Sequence, residues 1–386
     1  MKKAIIIPVY LRLNAPEELP HSEGVELAKR AVESLKVLND QDFTLILPVC
    51  FDTEAAGQSS FSEMDRLLRN EFRAVELQKK MIFSSCHLKR LREYLDRKHF
   101  RNVYPLIDLK GFSKVRNTGL LLAQALATDV AIFIDNDEVV EDPDYLEVAC
   151  AYIGQKWNGN VVSGKGGFYI DPDGAIFLPP QRLWWRYLWN KTKWMNRVWE
   201  MILSSEERLV SSPMLLGGNL VLHGRLFHAI PFDPYIPRGE DTDYLINASH
   251  LGFCLLFDKE LRIRHLHPRR TEAFFQEELR GDIERFLYER EKTREGLLID
   301  LNPYPGHFLK GSLYPRAILT SMLLSLDYSL RGEWTRAGEC LSHMNLLFQR
   351  KKEVWPRYLE FKADWERVMG DIQREGMKEI VEECRF

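Results

Sequence analysis

Four short, unbroken apolar runs occupy the first third of this 386-residue chain: AIIIPV at 4–9, TLILPV at 44–49, VYPLI at 103–107 and VAIFI at 130–134. Strands that are apolar along their whole length, rather than at alternate positions, are buried on both faces, and that is the condition of a parallel sheet covered by helices. Helical patterns fall between them. Val25, Ala28, Val32, Leu35 and Leu38 keep a helical period after the turn-prone Pro20-His21-Ser22 and predict a helix over 24–38. A second helix is expected after Ser113, carrying Val115, Leu120, Leu121 and Leu122. The expected fold class is therefore α/β with a mostly parallel central sheet. Residues 161–178 predict two strands around an Asp-Pro-Asp-Gly turn. From 271 the pattern changes to long, charge-rich helices separated by the Pro- and Gly-containing segment DLNPYPGHFLKGSLYP. The chain thus divides into an α/β region, 1–270, and a helical C-terminal region, 271–386. No solenoid-type repeat is evident.

Composition removes several classes. A formal net charge of -3 and a pI near 6.4 offer no basic field for nucleic acid. The opening MKKAIIIPVYLRLNAPEELP reads as a first strand rather than a leader, because its apolar stretch is short and runs into Pro8 and Arg12 without a small-residue cleavage site. No apolar run approaches the roughly 20 residues of a membrane-spanning helix. The six cysteines are scattered without CxxC spacing, which argues against a zinc site and against a disulfide framework, so a reducing cytoplasm is the expected compartment.

The run at 130–134 ends in Asp135-Asn136-Asp137. On an extended chain Asp135 and Asp137 point the same way, and paired carboxylates repel unless a cation lies between them; a hard divalent ion is the usual solution. A polar turn at a strand end is the duller alternative. The turn after the first strand has no GxGxxG, and GxxxxGK[ST] is absent, so the nicotinamide and P-loop readings lose their support. In KGFSKVRNTG, Lys110, Lys114 and Arg116 accompany a helix start, which suits a diphosphate or else a solvated first turn. In FDPYIPRGEDTDY, Glu240, Asp241 and Asp243 open a helix, as caps or with a general base among them. In IRHLHP, His265 and His267 share one face and are flanked by Arg262, Arg264, Arg269 and Arg270; a histidine there could complete an octahedral metal shell near an anionic ligand.

The order of these segments, IIIPVY, then GFSKVRNTGL, then AIFIDNDEVVEDPDYLE, then GGNLVLHGRLFHAIPFDPYIPRGEDTDYLINASHLGF, resembles the family-2-like glycosyltransferases of the GT-A fold over residues 4 to about 268. The resemblance implies a nucleotide-sugar-binding domain and a hexosyltransferase using a UDP- or GDP-type sugar donor with Mn²⁺ or Mg²⁺. Asp135 and Asp137 match the DxD motif, Asp137 as the direct metal ligand and Asp135 near ribose and metal. Pro8 and Tyr10 match the turn bordering the base, and Arg116, with Lys114 beside it, matches the RNxG element. Gly217, Gly218 and Asn219 match the stretch lining the acceptor side. Glu240 and Asp241 match the ED motif, whose aspartate is the general base of inverting members, and His265 and His267 are both candidates for the metal-ligating histidine. Asp52 stands where the family shows an Asp-Asp-Gly-Ser type turn, from which CFDTEAAGQSS departs. A retaining enzyme making a small glycoside, a metal-dependent phosphoesterase and a non-catalytic nucleotide-sugar-binding protein stay open as alternatives. So do the acceptor, a homo-oligomer, and peripheral membrane contact through the stretch 183–203, where Trp184, Trp185, Trp189, Trp194 and Trp199 are expected mainly to pack in a core or subunit contact.

Overall fold

The computed structural model describes the chain except at 14, 53–57, 181–182, 267–273, 295–299 and 350–352. Its strands are β1 (Lys3–Ile6), β2 (Val9–Arg12), β3 (Phe43–Asp52), β4 (Lys80–Phe83), β5 (Val130–Phe133), β6 (Glu138–Val139), β7 (Lys156–Trp157), β8 (Asn160–Ile170), β9 (Leu209–Val210), β10 (Leu220–His223) and β11 (Cys254–His265). β2 continues the register of β1 along β3 beyond Pro8, with Lys3 opposite Phe43 and Val9 opposite Val49. Across the sheet the order runs β4, β3, β1, β5, β10, β8, β11, β6. β4, β3, β1, β5, β8 and β11 run one way, while β10 and the two-residue edge strand β6 run against their neighbours. The sheet is therefore mostly parallel, and its strands are buried on both faces, as their uninterrupted apolar character requires.

Each face carries a core. Ile5, Leu45, Ile132 and Val221 meet the helices Glu23–Ser34 and Gln58–Arg73 on one side. Ala4, Ile46, Phe133 and Leu222 meet the helix Phe112–Ala125 on the other. The C-terminal helices join this second core directly: Tyr358 donates to the Pro231 carbonyl at 2.9 Å and Trp365 Nε1 to the Phe227 carbonyl at 2.9 Å. None of the described helices is long and apolar enough to cross a membrane.

Two expectations are corrected. VYPLI is not a strand; Arg101–Leu106 forms a 3₁₀ turn, because Pro105 has no N–H to give a ladder, and Val103, Leu106 and Ile107 reach the core from the turn and its end. Residues 161–178 hold one strand rather than two. β8 is already flanked by β10 and β11, and beyond Ile170 the Asp171 carboxylate closes a loop by accepting from Asp173 N (3.0 Å) and Ala175 N (2.8 Å). Trp185, Trp189 and Trp199 lie in the core, as expected of the aromatic stretch, whereas Trp184 is half exposed.

Candidate active site

At the carboxyl end of β5 the chain leaves the sheet at Ile134 and places Asp135 and Asp137 at its edge. Open α/β sheets bind ligands at such an edge. Arg116, on the helix Phe112–Ala125, is buried there over the Phe133 ring, with its guanidinium carbon 5.1 Å from the ring centroid. It donates from Nη2 to Asp135 Oδ1 (2.9 Å), from Nε to Glu240 Oε1 (3.1 Å) and from Nη1 to the Gly217 carbonyl (2.9 Å). Burial disfavours its charge, but Asp135 and Glu240 outweigh that and hold its pKa above the ordinary value. One arginine thus ties together β5, the turn before β10 and the first turn of the helix Glu240–His250.

On the other side of the aspartates, His265 Nε2 at the end of β11 lies 3.3 Å from Asp137 Oδ2, and its ring stacks on Tyr169 at 5.0 Å. The backbone continues this link: Leu266 N donates to the Asp137 carbonyl at 2.7 Å. His267 lies outside the described residues. Among the described residues no three His, Cys, Asp or Glu side chains converge closely enough to hold a metal ion unaided. Asp137 and His265 do meet, and oxygen plus imidazole suits Mn²⁺; ions of this kind commonly take one or two protein ligands and complete their shell with a substrate's phosphates.

Glu138, immediately after the aspartates, is fully buried. Its Oε2 accepts from Asp135 N at 2.8 Å. Burial first, and the neighbouring Asp135 second, push its carboxyl well above the usual range. A Cβ on Gly218 would lie 2.4 Å from both Glu138 oxygens, so that glycine is required by close approach. Gly218 N donates to the Tyr169 hydroxyl at 2.7 Å.

Asp241 is partly exposed; its Oδ2 accepts from Gly217 N (3.1 Å) and its Oδ1 from Thr242 N (2.6 Å). Each carboxylate oxygen keeps a second lone-pair site beyond these bonds. Glu240 is buried against Arg116; burial raises its pKa and Arg116 draws it partly back. Asp243 belongs to the scaffold instead. Lys292, on the helix Phe274–Thr293, donates to its two oxygens at 2.7 and 2.8 Å and pairs with Asp233 at 2.7 Å.

The remaining predicted residues fall into two groups. Tyr10, half exposed, donates to Asp52, which also accepts from Lys110 Nζ at 2.9 Å; these bonds, Tyr10's first, hold the Asp52 carboxyl below its ordinary range. Pro8 interrupts the first strand beside them and Lys114 is part-exposed on the helix that carries Arg116. Asn219 is fully buried, and its amide is spent on the Phe168 and Leu261 carbonyls (3.1 and 3.3 Å) and on the Tyr145 hydroxyl (2.8 Å). Sequence reasoning missed Glu138 and Tyr169. Glu138 adjoins the aspartates and could have been found by asking what a third acid within four residues would face; Tyr169 carries no local signal.

No protein-family model and no curated protein matches the sequence. Among solved structures, the chain is similar to the mannosyltransferase PcManGT from Pyrobaculum calidifontis in complex with GDP-Man and Mn²⁺, at a TM-score of 0.47 and 10% identity over 97% of this chain and 88% of that one. It is also similar to GalNAc-T7 with UDP, GalNAc and Mn²⁺ (TM-score 0.41, 14% identity, 76% and 51% covered) and to S. aureus TarS (0.39, 13%, 96% and 55%). Likenesses this distant do not carry an activity across.

Proposed function

We propose that this chain is a GT-A type glycosyltransferase that moves a sugar, a hexose by preference, from a UDP- or GDP-type nucleoside-diphosphate sugar to an acceptor hydroxyl. The observation that carries the reading is the meeting of five segments at one sheet edge: Arg116 bonded to Asp135, Glu240 and Gly217, with Asp137 against His265. A strand-end turn would need none of these partners. A divalent ion held by Asp137 and His265 would supply positive charge for the departing diphosphate. Arg116 fixes Asp135 and adds its own charge beside that leaving group, from a position that burial and two anions keep rigid. The Tyr10, Asp52 and Lys110 group borders the first-strand turn, on the side that the resemblance gives to the nucleotide base.

Asp241 takes the acceptor proton in this reading. Two backbone N–H groups hold its carboxylate in place, and its partial exposure leaves an edge for an incoming hydroxyl. In-line attack from that side inverts the anomeric centre. The test is Asp241→Asn, which keeps size and one acceptor oxygen. Donor binding measured by thermal shift against UDP, GDP, ADP and dTDP nucleotides with Mn²⁺ is expected to persist, while sugar transfer falls by about 10²–10⁴-fold. An Asp241→Asn enzyme with full transfer activity sinks the assigned base.

A further inference from the structure

The helix Leu313–Leu330 is apolar on two faces. Leu313, Ala317, Leu324 and Tyr328 are buried in the core beside Thr320, Ser321 and Ser325, while Leu319, Met322, Leu326 and Leu330, at helical spacing, point outward at 47%, 50%, 50% and 76% exposure. The hydroxyls of Thr320 and Ser321 meet no hydrogen-bond partner among the described residues. The inner face already supplies the core contacts, so the outer aliphatic stripe is not required by packing within the chain and is left for something that covers it. At the far end Trp334, which opens the next helix, is 71% exposed, and on the flank the half-exposed Trp184 is fixed by a 2.8 Å bond from its Nε1 to Asp327 Oδ1.

The near end of the stripe is cationic. Trp194 stacks on His307 at 3.6 Å, with Arg197 and Lys193 over its ring at 4.4 and 5.7 Å, and Arg316 donates to the His307 carbonyl at 3.1 Å. Together with Lys310, these four cations are close enough to act on the His307 ring. Beside them a cleft of about 600 Å³ is lined by Trp184, Arg186, Tyr187, Asn190, Lys193 and Trp194.

We infer that this face docks on a membrane surface containing anionic lipids, with the aliphatic stripe in the acyl boundary, Trp184 and Trp334 at headgroup depth, and the cations around His307 against lipid phosphates. Aromatic and basic residues rimming an apolar helical face are the features of interfacial attachment. Charge decides against a second copy of the chain: a two-fold pairing of this face puts the same patch on both partners, cations included, whereas an anionic bilayer complements it. This docking does not depend on the proposed chemistry.

The test is flotation of the full chain with vesicles of phosphatidylcholine containing 30 mole per cent phosphatidylglycerol, against phosphatidylcholine alone. Wild type is expected to float with the anionic vesicles, weakly with the neutral ones, and less as salt is raised. Leu326→Glu and Met322→Glu sit on the outer face, so the fold is expected to survive, and each is expected to lower partitioning by about tenfold or more. Lys193→Glu is expected to weaken binding to the anionic vesicles alone. Absence of wild-type flotation overturns the inference. So does a concentration-dependent dimer in light scattering that Leu326→Glu abolishes, since a second copy would then cover the stripe.

Discussion

Replacing Lys292 by methionine tests whether the C-terminal helical region holds the candidate active site together. Lys292 is completely buried, and its ammonium faces Asp243 at 2.7 and 2.8 Å, Asp233 at 2.7 Å and Asn247 Oδ1 at 3.0 Å. Asp243 lies in the first turn of the helix that begins with Glu240 and Asp241, so this cation anchors the helix from behind. Methionine keeps the length and removes the charge, leaving two buried carboxylates facing one another. Breaking one side of a buried ion pair costs about 3–5 kcal/mol. With an unfolding entropy of about 2.1 cal/mol/K per residue, a chain of this size loses about 1 °C for each 0.8 kcal/mol, so the melting temperature is expected to fall by about 4–6 °C. Even with the lysine in place, burial outweighs Lys292 and Asp233 adds to it, lifting Asp243 to about 6. Removing the cation raises that value further. Lowering the pH then neutralises the stranded carboxylate, so the gap between variant and wild type narrows as pH falls from 7 towards 5. Calorimetry across that range measures both effects. A loss below about 1 kcal/mol, or a gap that widens in acid, refutes the anchoring argument.

Arg116→Lys is expected to reduce donor affinity nearly as far as Arg116→Ala, because a point ammonium cannot reach Asp135, Glu240 and the Gly217 carbonyl at once; calorimetric titration with the nucleotide decides it. Gly218→Ala drives a methyl to 2.4 Å from the Glu138 carboxylate and is expected to cost about 1–3 kcal/mol in denaturant unfolding, with relief when combined with Glu138→Ala. His343 is buried and its pKa is lowered to about 4 by burial, with Arg280 nearby adding to it. A depressed histidine contributes stability that is present above 6.5 and is lost as pH falls from 6.5 towards 4, whereas His343→Gln is expected to flatten that limb of the stability curve.

The sheet was legible where strands were long or wholly apolar. AIIIPV, TLILPV and VAIFI became β1, β3 and β5 because continuous burial leaves a continuous apolar run. β4 and β10 are four residues each, KMIF and LVLH, too short for a period to separate from a loop or a helix fragment. VYPLI misled because apolar composition alone does not distinguish a strand from a buried 3₁₀ turn. At the site, the paired aspartates, Arg116 and Glu240 were visible as local motifs. Asp243, in the same acidic cluster, turned out to face Lys292 from the C-terminal helices, and a contact across that separation leaves no trace in spacing. The outward stripe of Leu313–Leu330 was hidden for a related reason: a helix apolar on both faces shows no periodic signal until its buried face is known.

Asp137 and His265, with Arg116 behind Asp135, are proposed to form a metal-assisted diphosphate site. Isothermal titration of UDP and GDP into the protein, each with and without Mn²⁺, tests it most directly. Saturable binding of one nucleotide is expected in the presence of Mn²⁺, with little or none without it, and Asp137→Ala is expected to lose that binding while the folded state is retained. Indifference to both nucleotides in Mn²⁺, or binding that Asp137→Ala leaves untouched, contradicts it.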